Sequence, residues 1–207
     1  GSLQTWVAVA QITTNAHQVM TSPDGVTWTN QVAAAARSWS AIAWDEGSER
    51  LVATGGSNTQ STNVMTSDDG GVVWTSRSTP VNVRFTQRSL SRGDGLFIGF
   101  GDINNGATQA DRGHIFTSPT GVTWTENAQA DTLANHGWLS AAYGESTPPS
   151  PSSDFWVAVS QQAGPSPDFS RTMTSLDGLT WTVVSDAAGL IAFVWNNIAW
   201  SPTLRQF

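Results

Sequence analysis

Thr66-Ser67-Asp68-Asp69-Gly70-Gly71-Val72-Val73-Trp74 decides the fold, because the chain says it three more times: Thr21-Ser22-Pro23-Asp24-Gly25-Val26-Thr27-Trp28, Thr117-Ser118-Pro119-Thr120-Gly121-Val122-Thr123-Trp124 and Thr174-Ser175-Leu176-Asp177-Gly178-Leu179-Thr180-Trp181. The phrase ends in Trp28, Trp74, Trp124 and Trp181, at steps of 46, 50 and 57 residues. Spacings of this size belong to solenoids and propellers, in which each supersecondary unit needs its neighbours to bury its apolar face.

Within the phrase, Asp-Gly between two β-prone runs is a hairpin signal, and Pro23-Asp24-Gly25 supplies a preset φ, a side-chain cap and a residue free to take positive φ. Working outward from the second copy, 39–44, 51–54, 63–66 and 72–75 are four short β-prone runs. Four antiparallel strands per repeat make a propeller blade. Residues 31–37 hold enough alanine for a helical turn, but a loop suits them better. The expected fold is all-β, a four-bladed propeller of four-stranded blades in one domain over 1–207, with blades 195–207 plus 1–38, 39–82, 83–135 and 136–194.

Spacing sets the expected register. Trp39 to Leu51, Phe85 to Phe97 and Trp195 to Phe207 are each 12 residues, so Phe207 matches Trp6. The run 195–200 is then a first strand without successors, and the N-terminal strands lack a first strand. Pairing 195–200 with 6–10 is expected to close the ring and remove an exposed edge. All eleven Trp fall in this frame: 28, 74, 124 and 181 in fourth strands, 39, 138 and 195 opening first strands, 44 and 200 closing them, 6 and 156 opening second strands. Packing between blades therefore accounts for the tryptophans without a sugar-stacking platform.

The second phrase, Ser67-x-Asp69-x-Gly71-x-Val73-Trp74, resembles the Asp-box, or bacterial neuraminidase repeat. Val73 stands where that pattern has Thr, and the other three copies are one residue shorter between Ser and Gly. The resemblance implies a propeller in which the box turn joins the third and fourth strands. It implies little about activity, since the family holds sialidases and non-catalytic propellers alike. A looser similarity links the repeats to bacteriophage tail and structural proteins and bacterial surface proteins.

Composition narrows the partners. Charged residues are 12%, the net charge is −7, and all nine basic residues are Arg. Nucleic acid and anionic membranes need a basic footprint, so neither is expected, and no apolar run reaches the roughly 18 residues of a membrane helix. The absence of Cys removes thiolate metal sites and Cys nucleophiles. His17, His114 and His136 have no ligand spacing, and Asp102-x-Asn104-Asn105-Gly106 is a short, incomplete calcium loop. No metal or cofactor is expected.

A sialidase needs an Arg cluster, a Tyr nucleophile with a Glu, and an acid/base Asp. Tyr143 with Glu145 is the one such pair, but Tyr143 stands five residues after Trp138, as Trp44 does after Trp39, and reads as framework. Asp24, Asp69 and Asp177 recur once per box and read as turn caps, with Thr120 a weaker one. The expectation is therefore a non-catalytic module of a larger extracellular, surface or virion protein, binding a glycan or receptor. A sialidase-like hydrolase and a fragment or half of a larger propeller are the alternatives.

If a ligand binds, departures from the repeat point to its place. Arg88 replaces what counting makes Ile42, Ala141 and Ile198 elsewhere. Polar inserts collect on the face made by second-to-third-strand loops: Asn58 and Gln60; Asn104, Asn105, Asp111 and Arg112; Asp168 and Arg171. The opposite face carries the boxes and the Pro/Ser-rich insert 145–154.

Overall fold

The computed structural model describes residues 5–11, 17–56, 61–86, 88–103, 113–127, 137–145, 154–161, 172–184 and 195–207. They form four antiparallel sheets. The first holds β1 (Trp6–Val9), β2 (Val19–Ser22) and β3 (Thr29–Gln31); the second holds β4 (Trp39–Asp45), β5 (Arg50–Gly55), β6 (Val64–Ser67) and β7 (Thr75–Arg77). In the third lie β8 (Val83–Phe85), β9 (Ser91–Gly93), β10 (Leu96–Ile103), β11 (His114–Ser118) and β12 (Thr125–Asn127). The fourth is β13 (Gly137–Gly144), β14 (Phe155–Gln161), β15 (Thr172–Ser175) and β16 (Thr182–Val184). Residues 32–38 are bends and a bridge, not a helical turn.

Each repeated phrase is the turn between the last two strands of its sheet, and side chains hold it. In the fourth, the Ser175 hydroxyl donates to Asp177 at 2.9 Å and accepts from the Gly178 N–H at 2.8 Å, while Asp177 accepts from the N–H groups of Leu179 and Thr180 at 2.8 and 2.7 Å. The Trp181 indole N–H then donates to the Gly178 carbonyl at 3.0 Å. The first and second turns repeat this arrangement. In the third, Thr120 accepts only from Val122, at 3.3 Å. Gly25, Gly71, Gly121 and Gly178 all have φ between 69° and 91°.

Those glycines also let the sheets stack. A Cβ on Gly121 would lie 2.3 Å from Val52 of the second sheet, and one on Gly178 would lie 2.9 Å from Leu96 of the third. A Cβ on Gly71 would sit 3.0 Å from Val7 of the first. Every later box thus presses its turn onto the second strand of the sheet before it. The core fills these interfaces: Trp39, Trp138 and Trp156 are fully buried, and Trp74, Trp124 and Trp181 nearly so. Arg92 and Asp45 add an ion pair of 2.8 Å across the second and third sheets.

The expected ring closure is not what the structure shows. The first sheet has three strands, and 195–200 forms no strand with β1. Instead 195–207 folds back on itself through the Ser201–Gln206 bridge. That bridge keeps the repeat register, because Asp45 and Arg50 occupy the same places in the second sheet, and Arg205 has φ 53° where Glu49 has 50°. The hairpin packs on the fourth sheet: Phe207 meets Phe155 at 5.3 Å between ring centroids, and both Phe207 and Trp200 close on Gly144. Tyr143 of the fourth sheet closes on Gly93 of the third in the same way. Spacing gave the register of 195–207 but pointed to a lone first strand paired with 6–10, whereas the segment folds on itself and packs against the fourth sheet. As a result Trp6 is 64% exposed and Trp28 39%, although their counterparts elsewhere are buried.

Candidate functional site

The 12-residue spacing in the third repeat hides a rearrangement. In the second sheet Trp39 pairs with Gly55 and Ala43 with Val52, leaving one extra residue, a bulge beginning at Ser40. Phe85 pairs with Gly101 in the matching way, but pairing resumes only at Ser91 with Ile98. Five residues, 86–90, therefore stand where the second sheet has three, 40–42. The following hairpin compensates: Asp94-Gly95, both at positive φ, turn Gly93 into Leu96 in two residues where the second sheet spends four. The first strand is thus split into β8 and β9 by an enlarged bulge.

This corrects the expectation for Arg88. It does not replace Ile42 on an innermost strand; continuing the Ser91–Ile98 pairing puts Leu90 opposite Gly99, the counterpart of Ala53, and Leu90 is buried. Arg88 belongs to the bulge, is exposed, and has φ 63°. The Ser89 N–H donates to the Thr86 carbonyl at 3.3 Å, and the Thr86 hydroxyl reaches the carbonyls of Phe100 and Trp138 at 3.2 and 3.1 Å. These bonds fasten the bulge to both the third and fourth sheets.

The bulges meet at one cavity of about 690 Å³. Ser40, Thr86, Leu139 and Asn196, which line it, each follow by one residue the aromatic that opens their repeat's first strand: Trp39, Phe85, Trp138 and Trp195. Gln11 joins them from the first sheet. Repeat-equivalent positions from successive sheets converge on a propeller's axis, so the cavity is the axial mouth. Its size is that of an ordinary small-molecule cleft. It opens at the ends of β5 and β10, the side that carries the second-to-third-strand loops.

Charge in the mouth comes from Arg84, Arg88 and Asp102. Arg84 donates to Asp102 at 2.9 Å, and the Gly113 N–H approaches the other oxygen of Asp102 at 3.4 Å. Asp102 is buried and Arg84 half-exposed. Arg88 makes no hydrogen bond or ion pair with the described residues. Of the expected ligand residues, Arg88 alone is described; Asn58, Gln60, Asn104, Asn105, Asp111, Arg112, Asp168 and Arg171 lie outside the described residues. Sequence reasoning did not single out Arg84, Ser40, Leu139 or Asn196, and it took Asp102 only as part of an incomplete calcium loop, not as the partner of Arg84. The signal available was the residue after each opening aromatic.

Tyr143 lies at the opposite end of β13, paired with Trp156 and packed against its ring at 5.1 Å. Burial, with Asp94, Asp154 and Glu145 nearby, pushes its phenol up to about 12, against nucleophile activation. Among the described residues, no group of three or more His, Cys, Asp or Glu is placed to hold a metal ion, and no helix is long and apolar enough to cross a membrane.

No family model matches the chain, and no curated protein matches it in sequence. Solved structures do. A GH74 xyloglucanase from Xanthomonas campestris superposes over 87% of this chain with a TM-score of 0.59 at 16% identity. A Penicillium chrysogenum alpha-L-arabinanase complexed with arabinobiose covers 89% with a TM-score of 0.50 at 13% identity, and YCF48 bound to D1 peptide covers 88% with a TM-score of 0.50 at 14% identity. The chain spans 28% of that xyloglucanase, 63% of the arabinanase and 50% of YCF48. The likeness is one of fold: the chain is an all-β protein of propeller type.

It also corrects the expectation of a non-catalytic module that is not an enzyme. That expectation rested on the lack of a sialidase constellation, whereas two of these three neighbours are named for action on other glycans. Missing sialidase residues therefore do not argue against glycan hydrolysis on this fold.

Proposed function

We propose that the protein is a glycan-active propeller that takes its substrate at the axial mouth. The observation that carries this reading is the cavity itself, where bulges from successive repeats converge on a buried carboxylate, Asp102, and two guanidinium groups. Glycoside hydrolysis commonly uses two carboxylates flanking the scissile bond. Asp102 supplies one, and Asp111 and Asp168, which lie outside the described residues, are the sequence's candidates for the second. The fold likeness to a xyloglucanase and an arabinanase supports the substrate class. A polysaccharide substrate places the work outside the cell or at its surface. The four Ser-capped turns, three of them with Asp as well and the third with Thr120, are read as Asp-box turns that build the scaffold and leave the chemistry to the mouth.

The test is reducing-sugar release from a panel of plant and bacterial polysaccharides, with Asp102→Asn, Asp111→Asn and Asp168→Asn compared at equal folded concentration. Loss of a carboxylate that acts as acid or base should lower turnover by about 10²–10⁴. A protein that neither binds nor cleaves any glycan of the panel refutes the proposal. Full activity in Asp102→Asn removes that residue from the chemistry.

A further inference from the structure

We infer that the axial mouth selects glycans bearing a carboxylate, and that the Arg88 bulge is the device that does so. The inference rests on the glycan reading above and adds the substrate's charge.

Three independent observations converge on Arg88. The first is backbone conformation: φ 63° is a left-handed setting that disfavours a residue with a Cβ. Among the described residues, the other non-glycine residues of positive φ, Glu49, Asp94 and Arg205, all sit in hairpin turns between a first and a second strand. Among these, Arg88 alone has it inside an interrupted strand. Glycine would relieve the strain, so the side chain is held there against a local cost, as is common where strain serves a site.

The second is pairing. Among the described residues Arg37 bonds Thr62, Arg50 bonds Asp68, Arg77 bonds Thr66, Arg84 bonds Asp102 and Arg92 bonds Asp45. Arg88 has no such partner, and the one carboxylate among the described lining residues, Asp102, is already committed to Arg84 and the Gly113 N–H.

The third is charge placement. Among the described residues of the mouth, Arg84, Arg88 and Asp102 sum to one net positive charge on a protein whose net charge is −7. A positive cleft on an acidic protein focuses its field on the ligand that enters. A guanidinium with all five donors available fits a carboxylate in a two-pronged geometry that a neutral hydroxyl cannot match.

The experiment uses matched probes: an oligogalacturonate and its fully methyl-esterified form, the same sugar chain with and without charge, alongside neutral xyloglucan and arabinan oligosaccharides. Calorimetric binding to the full chain should favour the acid over its ester by at least about tenfold, with the preference shrinking as salt rises. Arg88→Gln should abolish the preference by weakening binding of the acid at least about tenfold more than binding of the ester. Arg88→Gly separates function from folding, because it should melt at the same or a higher temperature and still lose the preference. Equal binding of acid and ester, or an undiminished preference in Arg88→Gln, overturns the inference. Binding of neutral oligosaccharides alone overturns it and leaves the glycan reading standing; binding of no glycan at all overturns both.

Discussion

Replacing Gly121 by Ala tests how the sheets stack. Two costs apply. The residue sits at φ 74°, where a Cβ costs about 1 kcal/mol relative to glycine. The new methyl would also lie 2.3 Å from a methyl of Val52, a fully buried side chain in the core between the second and third sheets. Forcing an extra carbon into such a contact costs about 1–3 kcal/mol. Gly121→Ala should therefore destabilise by about 2–4 kcal/mol, lowering the melting temperature by roughly 4–16 °C for a chain of this length. Gly25→Ala is the control. Its φ is 75°, but the nearest atom, on the Trp6 ring, is 3.7 Å from the new Cβ. It should cost only the backbone share, about 1 kcal/mol. Urea melts of both variants read the difference directly. Equal losses would refute the reasoning, since they would mean either that Gly121 does not press on the second sheet or that the first box is also covered by a neighbouring sheet.

Three further outcomes follow from the turns and the framework. Asp177→Ala removes the acceptor of two backbone N–H groups and should cost about 1 kcal/mol, while Thr120→Asp, which gives the third turn the acceptor it lacks, should gain up to that amount in the same melts. The N–H groups of Thr27 and Val26, with the Ser22 hydroxyl, hold the Asp24 carboxyl down at about 2 from its ordinary 3.8. A depressed folded value stabilises above the unfolded pKa and is lost as pH falls through the folded one, so Asp24 stops contributing between about pH 4 and pH 2. NMR titration should place Asp24 near 2, and Asp24→Asn should flatten the acid limb of stability against pH. Tyr143→Phe should leave glycan binding and cleavage unchanged; a loss of cleavage at an unchanged melting temperature would move the chemistry to the wrong end of β13.

Much of the fold was legible because its parts are local. The Asp-Gly turns and their Ser and Asp caps act within four residues, so the phrase at Ser175-Leu176-Asp177-Gly178 specifies its own bonds wherever it is placed. The alternation around each phrase and the opening aromatics then gave strand order within each sheet. The mouth was less legible. Counting from Phe85 to Phe97 gives the same 12 as the other repeats because a bulge two residues longer is cancelled by a turn two residues shorter. Arg88 consequently looked like a substitution on a strand, when it is an addition to a bulge. Arg84 carried no repeat anomaly at all, and its meaning comes from Asp102, 18 residues away on the neighbouring strand.

By itself, then, the sequence determined the repeat, the turn chemistry and the burial of Trp39, Trp74, Trp124, Trp138, Trp156 and Trp181, because capping, φ preference and apolar patterning depend on residues close along the chain. Only the tertiary structure decided how the third first strand divides, which residue after each aromatic reaches the axis, and that 195–207 packs on the fourth sheet without pairing with β1. Those outcomes depend on which surfaces meet when whole sheets stack, and a terminal hairpin with the right register fits either neighbour as far as its own residues can tell.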